Sequence, residues 1–271
     1  MFQSAIRANE VIFDDTLSAI EPANSGYELR DWQAHPYGSV EGAEKFPDSL
    51  LIPRKDWPEL IREREAAGSL LSNVIEAQGV VCKNQKSTSY CWGFGVVGAI
   101  EAIRAASGLE YVSLSPASVC APLRNFKNQG YWGTPALRFI GENGIVPTTD
   151  WPDTAIDRAY YTEANKAKAK DYRVTEWWEL AEGEEGFEQT MSCLFRGFPV
   201  PVGYAWWGHL VYAVDPMMFE DGQFGHRDRN SWGAGWSEGN NGFFAVKGKK
   251  AWPNDACCPR VPIAMNRTGD S

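Results

Sequence analysis

The chain has 271 residues, is 44% hydrophobic and carries a formal net charge of −9. This length and composition predict a globular protein with one substantial core, or with two lobes that share one, and they exclude a disordered chain. The negative charge argues against binding to nucleic acid or to an anionic membrane surface, and no apolar run approaches the roughly eighteen residues that span a bilayer.

Residues 1–51 are rich in turn formers and predict an extended N-terminal arm with little helix. Apolar periodicity and capping signals then predict five helices, at 58–72, 91–107, 134–143, 153–172 and 186–196. Four strands are predicted after them, at 200–204, 209–214, 224–230 and 242–247. Helices first and an antiparallel sheet later give an α+β chain, and no internal repeat or low-complexity segment is visible.

Cys91 stands at the head of the second predicted helix, and His209 and Asn230 lie far downstream on predicted strands. These residue types are the parts of a Cys/His/Asn nucleophilic site. Only a thiolate attacks a carbonyl, and both the helix N-terminus and an imidazolium partner would lower the pKa of Cys91. Taken singly, each residue has a simpler explanation: a buried apolar Cys, a hydrogen-bonded core His or a turn Asn.

The residues around Cys91, His209 and Asn230 favour a nucleophilic site over these simpler explanations. Gln85 precedes the thiol by six positions, Trp92 follows it directly, and residues 230–236 read Asn-Ser-Trp-Gly-Ala-Gly-Trp. This order of Gln, Cys, His and Asn, with its tryptophans, resembles the papain-like cysteine peptidases, and in pattern those of bacteria and phages most closely. Further matches at 52–57, 114–118, 128–131 and 242–246 extend the resemblance over roughly residues 52–250.

The resemblance implies a papain-like two-lobed fold in a domain of residues 52–271. A helical lobe of about 85–170 would carry the Cys, and an antiparallel sheet or barrel lobe of about 171–262 would carry the His and Asn. It also implies a cysteine endopeptidase that hydrolyses peptide bonds through an acyl-enzyme, acts on a peptide or protein and uses no cofactor or metal.

The resemblance gives each site residue a role. Cys91 would be the nucleophile and His209 its partner, while Asn230 would orient the His209 ring. The Gln85 side chain and the Cys91 N–H would form an oxyanion hole. Trp232 would shield the His–Asn hydrogen bond from water. The substrate-binding residues that we predict are Gln129, Gly130, Tyr131, Trp232 and Trp206.

Thr88 and Lys127 stand where secreted members of the family have a disulfide bridge, and the six cysteines show no framework spacing. Joint loss of both bridge positions favours a reducing compartment, and the first residues lack the apolar stretch of a secretory signal. We therefore expect a cytoplasmic location, or a virion if the protein is phage-encoded. A metal site is a weaker alternative, because there is no Cys-x-x-Cys and there are only three His.

A second class of function stays open: a structural or assembly protein of this fold, such as a phage virion component, with residual or no activity. The arm lacks the inhibitory helix pattern that the family usually has, and it carries apolar residues that need burial, such as Phe13, Tyr27 and Trp32. We therefore expect residues 1–51 to bind neighbouring subunits in a homo- or hetero-oligomer and to leave the cleft open. An arm that covered Cys91 would indicate latency instead.

Overall fold

The structure is a computed structural model that describes residues 3–16, 25–237 and 239–262. Its centre is one sheet of eight strands: β1 (Ile12–Phe13), β2 (Glu44–Lys45), β3 (Val174–Leu180), β4 (Val200–Tyr204), β5 (His209–Met218), β6 (Phe224–Arg229), β7 (Phe243–Lys247) and β8 (Asp255–Pro262). The strand order is β1-β7-β6-β5-β4-β8-β3-β2. All ten residues of β5 are buried, which fits its place inside the sheet.

Both outermost strands come from the N-terminal arm. β1 pairs with β7 and β2 pairs with β3, each in parallel, whereas the other described pairs are antiparallel. The arm is therefore built into both edges of this chain's own sheet. Its first part is also held by a buried ion pair, in which Glu10 accepts from Arg227 at 2.6 Å.

The described residues form seven α-helices: α1 (Trp57–Ala66), α2 (Leu71–Ala77), α3 (Cys91–Ala106), α4 (Ala117–Leu123), α5 (Gly133–Asn143), α6 (Glu163–Ala169) and α7 (Gly183–Leu194). None of them is long and apolar enough to cross a bilayer. Helices and sheet together confirm the predicted α+β class.

Two of the predicted helices are wrong in extent. The helix expected at 58–72 is divided into α1 and α2, because the chain turns at Gly68, where φ is +64°. The helix expected at 153–172 shrinks to α6 and short 3₁₀ turns. Asp157 and Thr162 each accept a backbone N–H two or three residues further on, so each begins a new short element instead of continuing one helix.

The long helix α3 lies directly against β5 because two of its residues are glycines. A Cβ at Gly95 would stand 2.9 Å from the carbonyl oxygen of Val211, and one at Gly98 would stand 2.5 Å from the Tyr212 ring. Only a residue without a side chain allows this approach. The packing brings the first residue of α3, Cys91, towards the first residue of β5, His209.

Candidate active site

The structure gathers the four residues predicted to be catalytic. Cys91 begins α3 and His209 begins β5, while Asn230 directly follows β6. A tight turn between β4 and β5 pairs Tyr204 with His209 and so fixes where β5 starts. Cys91 and His209 are both 0% exposed, and Asn230 and Gln85 are buried as well.

Asn230 holds the imidazole of His209 from behind. The His209 Nε2 atom lies 2.7 Å from Asn230 Oδ1, and the same oxygen accepts the backbone N–H of Ser231 at 2.7 Å. Because an amide oxygen only accepts, Nε2 carries the proton and Nδ1 keeps its lone pair. Trp232 stacks on the ring with centroids 4.7 Å apart and Trp207 meets it edge-on, so the bond is enclosed by indoles.

Two hydrogen-bond donors beside the thiol converge on one oxygen atom. Gln85 Nε2 donates to the carbonyl oxygen of Ser25 at 3.1 Å, and the Cys91 backbone N–H donates to the same oxygen at 3.3 Å. The Gln85 amide is fixed because its Oε1 accepts from the Ser231 hydroxyl at 2.7 Å. Both donors beside the thiol are therefore occupied by a carbonyl oxygen of the arm.

Residues 25–28 of the arm, which we call the blocking segment, lie across the site between two walls. On one wall the Tyr131 N–H donates to Gly26 O at 3.1 Å, and Tyr131 O accepts the Glu28 N–H at 3.0 Å. On the other wall the carbonyl of Gly208, next to His209, accepts from the Ser25 hydroxyl at 2.6 Å. The expectation of an arm that leaves the cleft open is therefore wrong.

The physical reason for that error is that these contacts are made mostly by backbone atoms. An extended segment of four residues can pair with an edge and fill a donor pair without any side-chain periodicity. The missing inhibitory helix pattern was therefore no evidence for an open cleft. Ser25, Gly26 and Tyr27 are the site residues that the sequence did not reveal.

Cys91 and His209 are buried beside the blocking segment, and burial disfavours their charged forms. Burial raises the pKa of the Cys91 thiol to about 12, although backbone N–H groups of Leu210 and Trp92 and the Ser25 side chain partly oppose it. Burial lowers the pKa of His209 to about 4, against the effect of the Asn230 hydrogen bond. Within the described residues, His209 Nδ1 forms no hydrogen bond. Both pKa shifts favour a neutral thiol and a neutral imidazole over an ion pair.

Of the five predicted substrate-binding residues, two contact the blocking segment, and Trp232 stacks on the His209 ring as described above. Tyr131 pairs with the blocking segment, and Gly130 packs so tightly on it that a Cβ there would stand 2.4 Å from Gly26 O. Gln129 contributes its carbonyl oxygen, which accepts from the Trp92 ring N–H at 3.4 Å. Trp206 instead packs on the core, with its ring N–H donating to the Lys250 carbonyl oxygen at 3.0 Å.

Hydrogen bonds occupy the place of the family's disulfide bridge. The Thr88 hydroxyl donates to Gln85 O at 2.7 Å, and the Tyr90 hydroxyl donates to Lys127 O at 2.9 Å. The first bond is local, and the second ties the stretch before Cys91 to the loop after α4. All six cysteines are free and buried.

Comparisons with known proteins find relatives among curated proteases. No protein-family profile matches the chain. Cathepsin O of Mus musculus is 26% identical over 250 residues, which cover 78% of this chain and 68% of that protein. Ananain of Ananas comosus is 27% identical over 175 residues, which cover 58% of this chain and 50% of that protein. The chain thus spans about half to two thirds of the length of these relatives.

Solved structures are similar in fold, one of them over most of the chain. Xylellain, a cysteine protease from Xylella fastidiosa, has a TM-score of 0.58 at 15% identity and covers 91% of this chain and 99% of its own. Digestive procathepsin L 3 from the larval midgut of Tenebrio molitor has a TM-score of 0.57 at 19% identity and covers 67% of this chain and 66% of its own. In sequence the chain is similar to curated proteins such as cathepsin O and ananain, and in fold it is similar to cysteine proteases such as xylellain.

Proposed function

We propose that the protein is a cysteine endopeptidase that its own blocking segment holds latent. One observation carries the proposal: Gln85 Nε2 and the Cys91 N–H both donate to the Ser25 carbonyl oxygen. A donor pair aimed at one oxygen beside a thiol is the geometry that stabilises a tetrahedral oxyanion. The occupied donor pair and the buried, neutral Cys–His pair make the covered state inactive.

The reaction follows from these positions once a substrate carbonyl replaces that of Ser25. His209 Nδ1 takes the proton of the Cys91 thiol, and the thiolate attacks the substrate carbonyl carbon. Negative charge on the carbonyl oxygen is met by the Gln85 and Cys91 donors. The intermediate collapses to a thioester as His209 returns its proton to the leaving amine. Water, deprotonated by His209, then hydrolyses the thioester and restores the thiol, while Asn230 holds the ring throughout.

The position of the N-terminal arm supports latency independently of the donor pair. The described parts of the arm bind this chain's own sheet and cleft, so the alternative of an arm that binds neighbouring subunits is not favoured. One structural neighbour, the ragweed protease Amb a 11, was solved in its proform, with a TM-score of 0.53. A cytoplasmic or virion location stays a proposal, and free thiols are what a reducing compartment would maintain.

Loss of the Gln85 donor should slow catalysis strongly. In a variant with an open cleft, Gln85→Ala should lower kcat by about a hundredfold, because removing one oxyanion donor typically costs 10²–10³ in rate. The exposed Gln78 at the end of α2 provides the matched control, and Gln78→Ala should leave kcat unchanged. The measurement is the kcat of each variant, from steady-state kinetics on one peptide substrate. Equal kcat values for both variants would show that the Gln85 side chain does not stabilise the oxyanion.

Acid should release the blocking segment. The pKa of His209 is about 4 in the covered state against an ordinary value of 6.5, so His209 binds a proton more readily once the segment has left. The covered state is therefore stable above pH 6.5 and loses up to ~3 kcal/mol as the pH falls to 4. Amide hydrogen exchange at Glu28 and Tyr131, corrected for the intrinsic rate, should accelerate over this range.

The control for this pH response is His209→Gln, which removes the titrating group and keeps a neutral polar side chain. Exchange at Glu28 and Tyr131 should then be flat between pH 6.5 and 4. A response of the same size in this variant would assign the acid sensitivity to another group.

A further inference from the structure

Tyr204 and His209 form the pair that closes the hairpin of β4 and β5. They stand opposite each other in the register, and residues 205–208 connect them. Residues opposite each other in an antiparallel pair have their side chains on the same face of the sheet, with Cβ atoms about 5 Å apart. The Tyr204 side chain therefore lies on the same face as the His209 imidazole, and both residues are 0% exposed.

Both members of this closing pair are held by side chains from the end of β6. Asp228 Oδ2 accepts the Tyr204 hydroxyl at 2.7 Å, and Asn230 Oδ1 lies 2.7 Å from Nε2 of His209. Asp228 lies in β6, and Asn230 follows this strand directly. Since β5 separates β4 from β6, the Tyr204 side chain reaches across one strand to its partner. The tip of the hairpin is thus attached to the end of β6 at two points.

Asp228 is itself fixed by His226. Its Oδ1 atom lies 2.5 Å from Nδ1 of His226, and Nε2 of the same ring lies 3.3 Å from the carbonyl oxygen of Ala251. Both ring nitrogens thus face acceptors, an arrangement that an imidazolium satisfies fully. Burial, and next the charge of Asp228, raise the pKa of Tyr204 well above its ordinary value. The Tyr204 hydroxyl therefore keeps its proton and donates it to the carboxylate.

Packing alone does not explain these polar groups in the core. Tyr204 belongs to the apolar cluster that includes Trp207 and Phe244, and well-packed apolar residues often replace a buried ion pair without loss of stability. A hydroxyl–carboxylate bond adds direction, because it fixes the Tyr204 ring and with it the hairpin tip. The Trp207 ring in this tip meets the His209 ring edge-on with centroids 4.7 Å apart. A shift of the tip would therefore move the imidazole relative to Asn230.

Building on the proposed peptidase function, we propose that Tyr204, held by Asp228, is a positioning residue for His209. The Tyr204–Asp228 hydrogen bond keeps the hairpin tip in one place. The imidazole then keeps its hydrogen bond to Asn230 while it takes up and returns the proton of Cys91. Because Tyr204 is buried, it acts only through His209, so its loss lowers kcat and leaves KM unchanged.

The test removes this hydroxyl alone, in the full chain carrying Gly26→Ala, a change that should open the cleft. Tyr204→Phe should lower kcat at least tenfold at unchanged KM, since a misplacement of about 1 Å can cost a hundredfold in rate. The matched control is Tyr212→Phe, which removes a buried hydroxyl of β5 that accepts from Arg229 at 3.4 Å and should leave kcat unchanged. A smaller fall for Tyr204→Phe, or an equal fall in the two variants, overturns the proposal.

A second variant, Asp228→Asn, separates position from charge. Asparagine can turn its oxygen to the Tyr204 hydroxyl and its amide N–H to a neutral His226, so the hydrogen bond survives while the charge is lost. This variant should keep kcat within about threefold of the parent, and a fall as large as that of Tyr204→Phe contradicts positioning. If Tyr204→Phe does not fold, adding Asp228→Leu and His226→Leu removes the unpaired side chains, and this triple variant should show the same fall in kcat.

Nuclear magnetic resonance measures the same contact without any substrate. In the covered chain, the proton that His209 Nε2 donates to Asn230 is buried under Trp232, so it should exchange slowly with water and give its own nitrogen-coupled signal. Tyr204→Phe should accelerate this exchange at least tenfold, and Tyr212→Phe should not. Failure of the peptidase function would show as no hydrolysis by the open-cleft chain with this exchange difference intact. An exchange rate that Tyr204→Phe leaves unchanged overturns the positioning role.

Discussion

Replacing Gly26 by alanine should open the cleft and activate the protein. Gly26 has a φ of +93°, and a Cβ there would stand 2.1 Å from the backbone oxygen of Ser89, which cannot move aside as a flexible side chain could. A left-handed backbone alone costs an L-residue roughly 1–2 kcal/mol, and the clash adds to it. Since every 1.36 kcal/mol is a factor of ten, we expect peptide hydrolysis to rise at least tenfold.

Gly42 supplies the matched control for this change. It lies in the same arm with a φ of +81°, but a Cβ there would meet nothing within 4 Å. Gly42→Ala therefore has a similar backbone cost without the clash, and it should leave hydrolysis at the level of the unaltered chain. Equal activation by both variants would show that general loosening of the arm, and not release of the blocking segment, is responsible.

Loss of either member of the reactive pair should abolish hydrolysis. In the Gly26→Ala background, Cys91→Ala removes the nucleophile and His209→Ala removes the base, and each should lower kcat by several orders of magnitude, as in other nucleophile–histidine sites. Asn230→Ala should be milder, because this side chain orients His209 and does not itself react.

The control for the cysteine variant is Cys193→Ala, which removes a buried thiol of α7 outside the site. It should leave kcat unchanged even if it lowers Tm slightly through the small cavity. Thermal unfolding of Cys91→Ala and His209→Ala must show folded protein. Activity that survives Cys91→Ala would point to another nucleophile.

The sequence predicts the parts of the molecule that depend on side-chain pattern. The helix that begins at Cys91 and the strand that begins at His209 follow from apolar periodicity, and the spacing of Gln85 and the tryptophans indicates the site. The strands β3 and β8 escape prediction because their residues do not alternate. Trp177–Leu180 is a continuous buried run, and β8 contains Pro259 and two adjacent cysteines.

The arm escapes prediction for a different reason. Ser25 acts through its carbonyl oxygen and Gly26 through its missing side chain, so neither leaves a pattern in the sequence. Arg30 looks like any solvated arginine until β3 and β8 bring Glu179 and Asp255 together beneath it. Ion pairs between residues so far apart in the sequence form only in the folded protein, so no local sequence pattern predicts them.

Labelling of the thiols by E64, the inhibitor bound to bromelain in one of the similar structures, tests the central claim most directly. The full chain and its Gly26→Ala variant would be exposed to E64 at pH 7, and the modified peptide would be identified by mass spectrometry. We expect Cys91 alone among the six cysteines to react, at least ten times faster in the variant than in the unaltered chain. Equal rates in the two chains, or reaction at another cysteine, would contradict a reactive Cys91 covered by residues 25–28.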